Sequence, residues 1–512
     1  MMNDESFVPD SRIFFDRMDH EIHTETFIDN YRRALADAQL QRALATATAR
    51  FTTVRSLAVK NVGEEWEQLR DHARKIKEHA IGHLDHYLEE FSSNVERLGG
   101  RVFWARDSAE ANNYIADLAR ERGVRLAVKS KSMMTEEIEL NRALASVGVE
   151  AVETDLGEYI IQLAGERPSH IIAPAIHKTR SDVADLFAEK LHFERTEEIP
   201  RMTALARRVL RERFASAGLG VTGANFAVAE TGTIVLVENE GNIRLTTSLP
   251  RTHVALMGIE KVIPRLEDLA VFLRLLPRSA AGQQMSAYVS FLTGVKRSET
   301  EEGPEELHVV ILDNGRVEML ANEHLRESLY CIRCGACLNV CPVYQKIGGH
   351  AYGWIYPGPI GAVLTPQLIG RERAANLPFA SSLCGACREV CPIKINIPDM
   401  LLRLRHEIKE PARESGKRHS TFSFKQRLAG LAERVAFKLW AAAMKSPSRY
   451  TRAARFARLA QQAFGDGGLP IKRWTATRDL PPLAARSFRE QWAEIKENKI
   501  SREKKKTGEH NG

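Results

Sequence analysis

Apolar positions recur at two different periods along this chain of 512 residues, and the change of period divides it. In "NYRRALADAQLQRALATATARF", Leu35, Leu40 and Leu44 stand at roughly helical spacing, so residues 1–63 read as an arm with helical stretches. Residues 64–99 predict a longer amphipathic helix that Gly99 and Gly100 end. From Arg101 the style alternates: "RVFWA", the helical "SAEANNYIADLARERG", "VRLAVKS", the helical "MTEEIELNRALASVG", then "EAVET" and "SHIIAP". Short apolar strands separated by helices of that length predict a parallel α/β sheet. After a helix over 197–217, β-branched runs divided by Gly232 and by Glu240-Gly241 predict β-hairpins added to the same domain. This pattern gives an α/β domain over 64–310, short helical segments over 311–405, and a mostly helical, basic region over 406–512.

Such a length suits two or three domains. Hydrophobic residues at 44% and charged residues at 27% are close to ordinary globular usage. The acidic opening, "MMNDESFVPDSRIFF", has no basic start followed by an apolar run, so it is not a secretory signal. "VAFKLWAAAM" is interrupted by Lys438 and falls short of the roughly 20 residues of a membrane span. No membrane span is therefore expected, and the chain reads as cytoplasmic. The net charge of +7 is partly local, in the lysine-rich "ENKISREKKKTGEH". No recognition motif with interleaved aromatics accompanies that tail, so nucleic-acid binding is not expected.

Several weaker motifs have two readings each. Gly218, Gly220 and Gly223 spell G-x-G-x-x-G, but a helix precedes and a strand follows. Dinucleotide binding needs the reverse order, so Gly218 reads as a helix C-cap. Lys129 and Lys131 follow a strand before a helix start capped by Ser132 or Thr135, which suits an anion or an ordinary solvated sheet edge. Glu230 is a positioned carboxylate or one that stabilises a turn. His72, His79, His83 and His86 read as surface histidines.

All seven cysteines lie between 331 and 391, which points to metal ligation in a reducing compartment. "CIRCGACLNVCP" holds Cys331, Cys334, Cys337 and Cys341 in C-x2-C-x2-C-x3-C-P spacing. In "SSLCGACREVCP", Cys384, Cys387 and Cys391 match the last three, and Ser381 replaces the first. In two-cluster ferredoxins three thiolates wrap one [4Fe-4S] cube and the fourth reaches the other. By that crossing, Cys331, Cys334, Cys337 and Cys391 hold cluster one. Cys341, Cys384 and Cys387 hold cluster two, which has only three cysteine ligands. Zinc is the alternative, since CxxC pairs also suit a tetrahedral ion.

With these stretches in view, the chain resembles the lactate utilisation protein B family of iron-sulfur proteins. "NFAVAETGTIVLVENEGNIRLTTSLPRTHVALMGIEKVIP" is similar to the core of its LUD domain, the cysteine stretches to its ferredoxin-like region, and "KRWTATRDLPPLAARSFREQW" to its C-terminal region. The resemblance implies a LUD domain of NagB/RpiA/CoA-transferase-like fold, then a helical two-cluster ferredoxin-like domain. It further implies a role in oxidising L-lactate to pyruvate with two companion proteins, one cysteine-rich and one a second LUD protein. It assigns no catalytic residue for lactate. Two other functions remain open at this level: an acyl- or CoA-handling enzyme with Glu230 as nucleophile, and a redox or iron sensor.

Overall fold

Strands of four to seven residues, nearly all apolar or β-branched, build a six-stranded sheet. They are β1 (Arg101–Ala105), β2 (Leu126–Lys129), β3 (Glu150–Glu153), β4 (Leu219–Thr222), β7 (Thr252–Gly258) and β10 (Glu306–Leu312). The order is β1-β10-β7-β4-β2-β3, and every neighbouring pair is parallel. A parallel sheet is covered on both faces. Ile115, Leu118, Leu140 and Leu144 pack one face, while Phe187, Leu205, Leu210 and Phe214 pack against Leu126, Val128 and Val152. The last central strand, β10, runs to Leu312, so the expected domain edge at 310 falls inside it.

In the computed structural model the described residues are 22–298, 301, 303–409, 435–468, and 483–498 apart from 490, 493 and 497. The chain forms two compact units, Met1–Ala412 and Arg413–Gly512. In the second, helices cover 435–444 and Pro447–Gly468, and Gln461 accepts the N–H of Leu483 at 2.9 Å. Most of the lysine-rich tail and of "KRWTATRDLPPL" lies outside the described residues. Among those described, no helix is long and apolar enough to cross a membrane.

A second sheet has the order β8-β5-β6-β9, with β5 (Phe226–Val228), β6 (Thr233–Glu238), β8 (Val262–Ile263) and β9 (Tyr288–Leu292). Gly232, at φ +67, turns β5 into antiparallel β6, as a hairpin requires. After Gly241 the expected strand is instead a helix, Asn242–Ser248. Its first N–H groups are held by the Glu238 carboxylate, which accepts from Ile243 at 2.7 Å and Arg244 at 3.0 Å. Gly220 lets this helix lie on β4, since a Cβ there would meet the Thr246 carbonyl oxygen at 2.0 Å. Gly218 is no helix cap. The preceding helix, Ile199–Ser216, ends at Ala217, and the N–H of Gly218 donates to Leu126 in the sheet at 3.0 Å.

The long helix expected over 64–99 breaks into Glu65–Gly82 and Leu84–Arg97. Gly82 weakens the helix there, and His83 leaves helical geometry while its N–H reaches both His79 and Ala80 carbonyls. All four histidines on these helices are exposed. In the arm, Leu44 is fully buried but Leu35 is 50% exposed, so the inward stripe is narrower than the spacing implied. Helix Ala38–Val62 packs on Leu266–Ala281 and on the short helices Ala336–Asn339 and Tyr344–Ile347. One core therefore joins Leu44, Phe226 and Phe272 to Cys334, Cys341, Cys387 and Cys391.

Candidate metal centre

Both cysteine motifs fold alike. Arg333 and Leu383 hold φ values of +59 and +55, Gly335 and Gly385 hold +74 and +87, and short helices Ala336–Asn339 and Ala386–Val390 follow. A non-glycine residue keeps positive φ only where its surroundings enforce it. In the first loop the Arg333 N–H points at the Cys331 sulfur at 3.4 Å. In the second the Leu383 N–H donates to Ser381 Oγ at 3.1 Å. The serine oxygen therefore holds the place in its loop that a sulfur holds in the other.

Cys331, Cys334, Cys337 and Cys391 line one small cavity, closed by Ile171, Ile360 and Ile393. Burial, then the charge of Cys391 and Cys331, pushes Cys334 up to about 12. Burial, with the charge of Cys331, pushes Cys391 up to about 11 against the opposing N–H of Ile395. Burial also raises Cys337, with Cys331, Cys334, Cys391 and, more weakly, Cys387 of the other set as its charged neighbours. The other three thiols form a second neighbourhood. Burial and then Cys341 push Cys387 up to about 12, and burial raises Cys341, with Cys384 adding to it. Cys384 alone is exposed, and it is lowered by the Ala386 N–H and the Ser382 hydroxyl.

Thiols raised this far stay protonated unless a cationic core holds them as thiolates. Zinc does not fit that core. Zn–S bonds of about 2.3 Å place tetrahedral sulfurs roughly 3.8 Å apart. Among the described residues, the set of three or more ligand atoms within 4.8 Å of one another is Glu166, His177 and His350, with no cysteine in it. That Glu166 already accepts from His177 at 2.7 Å and pairs with Lys178. Sulfurs spaced more widely round a shared cavity suit the larger iron-sulfur cube.

Residues 88–312 match the LUD domain model, 327–395 the 4Fe-4S dicluster domain, and 403–497 the C-terminal region of lactate utilisation protein B. Lactate utilization protein B of Bacillus cytotoxicus (strain DSM 22905 / CIP 110041 / 391-98 / NVH 391-98) is 43% identical over 485 residues, covering 94% of this chain and 99% of that protein. The chain belongs to the lactate utilization protein B family. Its namesake in Bacillus thuringiensis (strain Al Hakam) is also 43% identical over the same shares of the two chains. A solved DUF162 family protein from Deinococcus radiodurans covers 45% of this chain at 14% identity and a TM-score of 0.26, with 98% of its own length matched.

Other residues at this family's cysteine centre carry no motif. Arg70 donates to the Cys391 carbonyl from Nε at 3.0 Å and Nη2 at 2.8 Å, and Arg55 donates to the Val390 carbonyl at 2.8 Å. Both come from helices far upstream, and Arg55 feels the charges of Cys334 and Cys391. Lys129, one of the candidate anion ligands, is fully buried, with Nζ 2.7 Å from both Glu136 and Glu153. Glu230 is exposed, and its carboxylate accepts the Leu266 N–H at 2.9 Å, the turn-stabilising role.

Proposed function

We propose that this protein is the iron-sulfur electron-transfer component of a cytoplasmic complex that oxidises L-lactate to pyruvate. Its companions would be a cysteine-rich protein and a second LUD protein. The observation that carries the reading is the two neighbourhoods of cysteines in one core, in a chain whose 43%-identical relatives are lactate utilization proteins. Two [4Fe-4S] clusters fit it, supplying one-electron steps. Cys331, Cys334, Cys337 and Cys391 would hold the first, and Cys341, Cys384 and Cys387 the second. Arg55 and Arg70 offset negative charge at the first site and fix the backbone at Cys391. The six parallel strands support a NagB/RpiA/CoA-transferase-like LUD domain. Exposed Trp440, Phe456 and Phe488 in the C-terminal unit support docking of a companion.

The chain reconstituted anaerobically should bind iron and sulfide, and it should reduce a dye with lactate only when both companions are added. Lactate oxidation by the isolated chain at the full rate, or failure to hold iron and sulfide, would overturn the reading. With Glu230 engaged in a turn, the acyl-transfer alternative has no poised nucleophile.

In this reading Ser381, in the place of the missing cysteine, would face the open corner of the second site. A serine hydroxyl binds iron less readily than a thiolate, and Cys384 beside it is exposed. Air should therefore remove one iron from the Cys341, Cys384 and Cys387 site first, with a three-iron electron paramagnetic signal that ferrous iron and reductant reverse. Ser381→Cys should suppress that signal. Equal conversion in variant and parent would place the missing ligand elsewhere.

A further inference from the structure

A cleft of about 270 Å³ opens at the carboxyl ends of β2, β3 and β4. Ser130 and Lys131 follow β2 directly, and Gly223 follows β4. In the sheet order these two strands are where chain progression reverses: β3 lies on one side of β2, whereas β4, β7 and β10 succeed one another on the other. Open α/β sheets bind ligands in the crevice at such a reversal. Gly223 leaves the crevice floor free, because a Cβ there would strike Ser132 Oγ at 2.6 Å.

The polar groups lining this cleft have unfilled donor capacity. Ser130 is 1% exposed, and its hydroxyl has no partner among the described residues. Arg333, whose side chain is 10% exposed, pairs through Nη2 with Glu260 at 3.5 Å and keeps an unpartnered Nη1. Lys261 is 9% exposed and lines the same space, as does Lys131. An unmatched buried donor is costly, the more so when it is charged. The three acids of the lining are already engaged: Glu238 accepts two backbone N–H groups, Glu240 accepts the Asn239 N–H at 3.0 Å, and Asp155 caps the helix Leu156–Ala164. Phe51, Ile171, Ile172 and Leu276 supply apolar wall.

We infer that this cleft binds a small organic carboxylate of the 2-hydroxy or 2-oxo acid class, with its anionic end on Ser130, Lys261 and Arg333. The identity of the acid rests on the function proposed above, whereas the anion site rests on the cleft itself. Arg333 also belongs to the first cysteine motif, with its backbone N–H on the Cys331 sulfur. Ligand and first cluster site therefore share one residue.

The test is calorimetric titration of the anaerobic, cluster-loaded full chain with L-lactate, pyruvate, propionate and inorganic phosphate. Lactate or pyruvate should bind, and Lys261→Met and Ser130→Ala should each weaken binding, the former about ten-fold or more. Iron and sulfide content and the visible spectrum should stay at the parent's values, which separates loss of the site from loss of the fold. Unchanged affinity in both variants, or no heat with any of the carboxylates, would overturn the site. Phosphate binding more tightly than every carboxylate would overturn the ligand class. Propionate matching lactate, with the same dependence on Lys261, would keep the carboxylate site and refute the hydroxy-acid assignment.

Discussion

Replacing Cys391 with Ala is expected to abolish the magnetic signal of the cluster proposed at Cys331, Cys334 and Cys337, although Cys391 lies more than fifty residues beyond Cys337. Cys391 shares its cavity and its electrostatic neighbourhood with those three cysteines. Its carbonyl is clamped by Arg70, so the loop cannot readily swing to offer a substitute. Iron content should fall by roughly half, since one of the two proposed four-iron sites would be lost. Cys341→Ala should instead disturb the signal of the Cys384 and Cys387 site. Spectra in which each substitution affected only the cluster of its own motif would refute crossed ligation.

The second large effect is on stability. Arg316, 1% exposed, donates to both Glu137 oxygens at 2.8 Å and, through Nε, to Glu260 at 2.9 Å. Tyr356, from the segment between the two cysteine motifs, donates to the same Glu137 at 2.6 Å, and Asn314 does so at 2.7 Å. Glu137 and Glu260 are as buried as the arginine. Both are held below the ordinary carboxylate range, Glu260 at about 2, because burial is outweighed by the Arg316 charge. Arg316→Ala leaves two buried carboxylates without their main cation, and breaking such a network costs about 3–5 kcal/mol. Urea unfolding should show a midpoint lowered to match, with the slope unchanged. A loss below about 1 kcal/mol would mean that water replaces the guanidinium.

Local chemistry was legible because it repeats at short range. The spacing of Cys331, Cys334 and Cys337 and the proline after Cys341 are properties of one loop, and apolar runs such as "LAVK" read as parallel strands, although the equally apolar "SHIIAP" forms none. The break at His83 and the helix at Asn242 were not legible in the same way. At Asn242 the helix start depends on where packing sets the Glu238 carboxylate, and at His83 the weak position Gly82 does not by itself say whether a helix ends or continues at a cost. Likewise nothing in "AVKSKS" separates Lys129 from Lys131. The first is enclosed by Glu136 and Glu153, whereas the second lines an open cleft.

The sequence alone thus determined the ligand types, the repeat with its missing cysteine, the parallel α/β character and the family. Tertiary structure decided that the arm and the cysteine segment share one core with the LUD sheets, that Arg55 and Arg70 attend Cys391, and that Arg316 joins three segments. Those outcomes belong to pairs of residues tens to hundreds of positions apart. Such pairs meet only when burial of a common apolar surface outweighs the chain entropy of bringing them together, a balance that no short stretch of sequence contains.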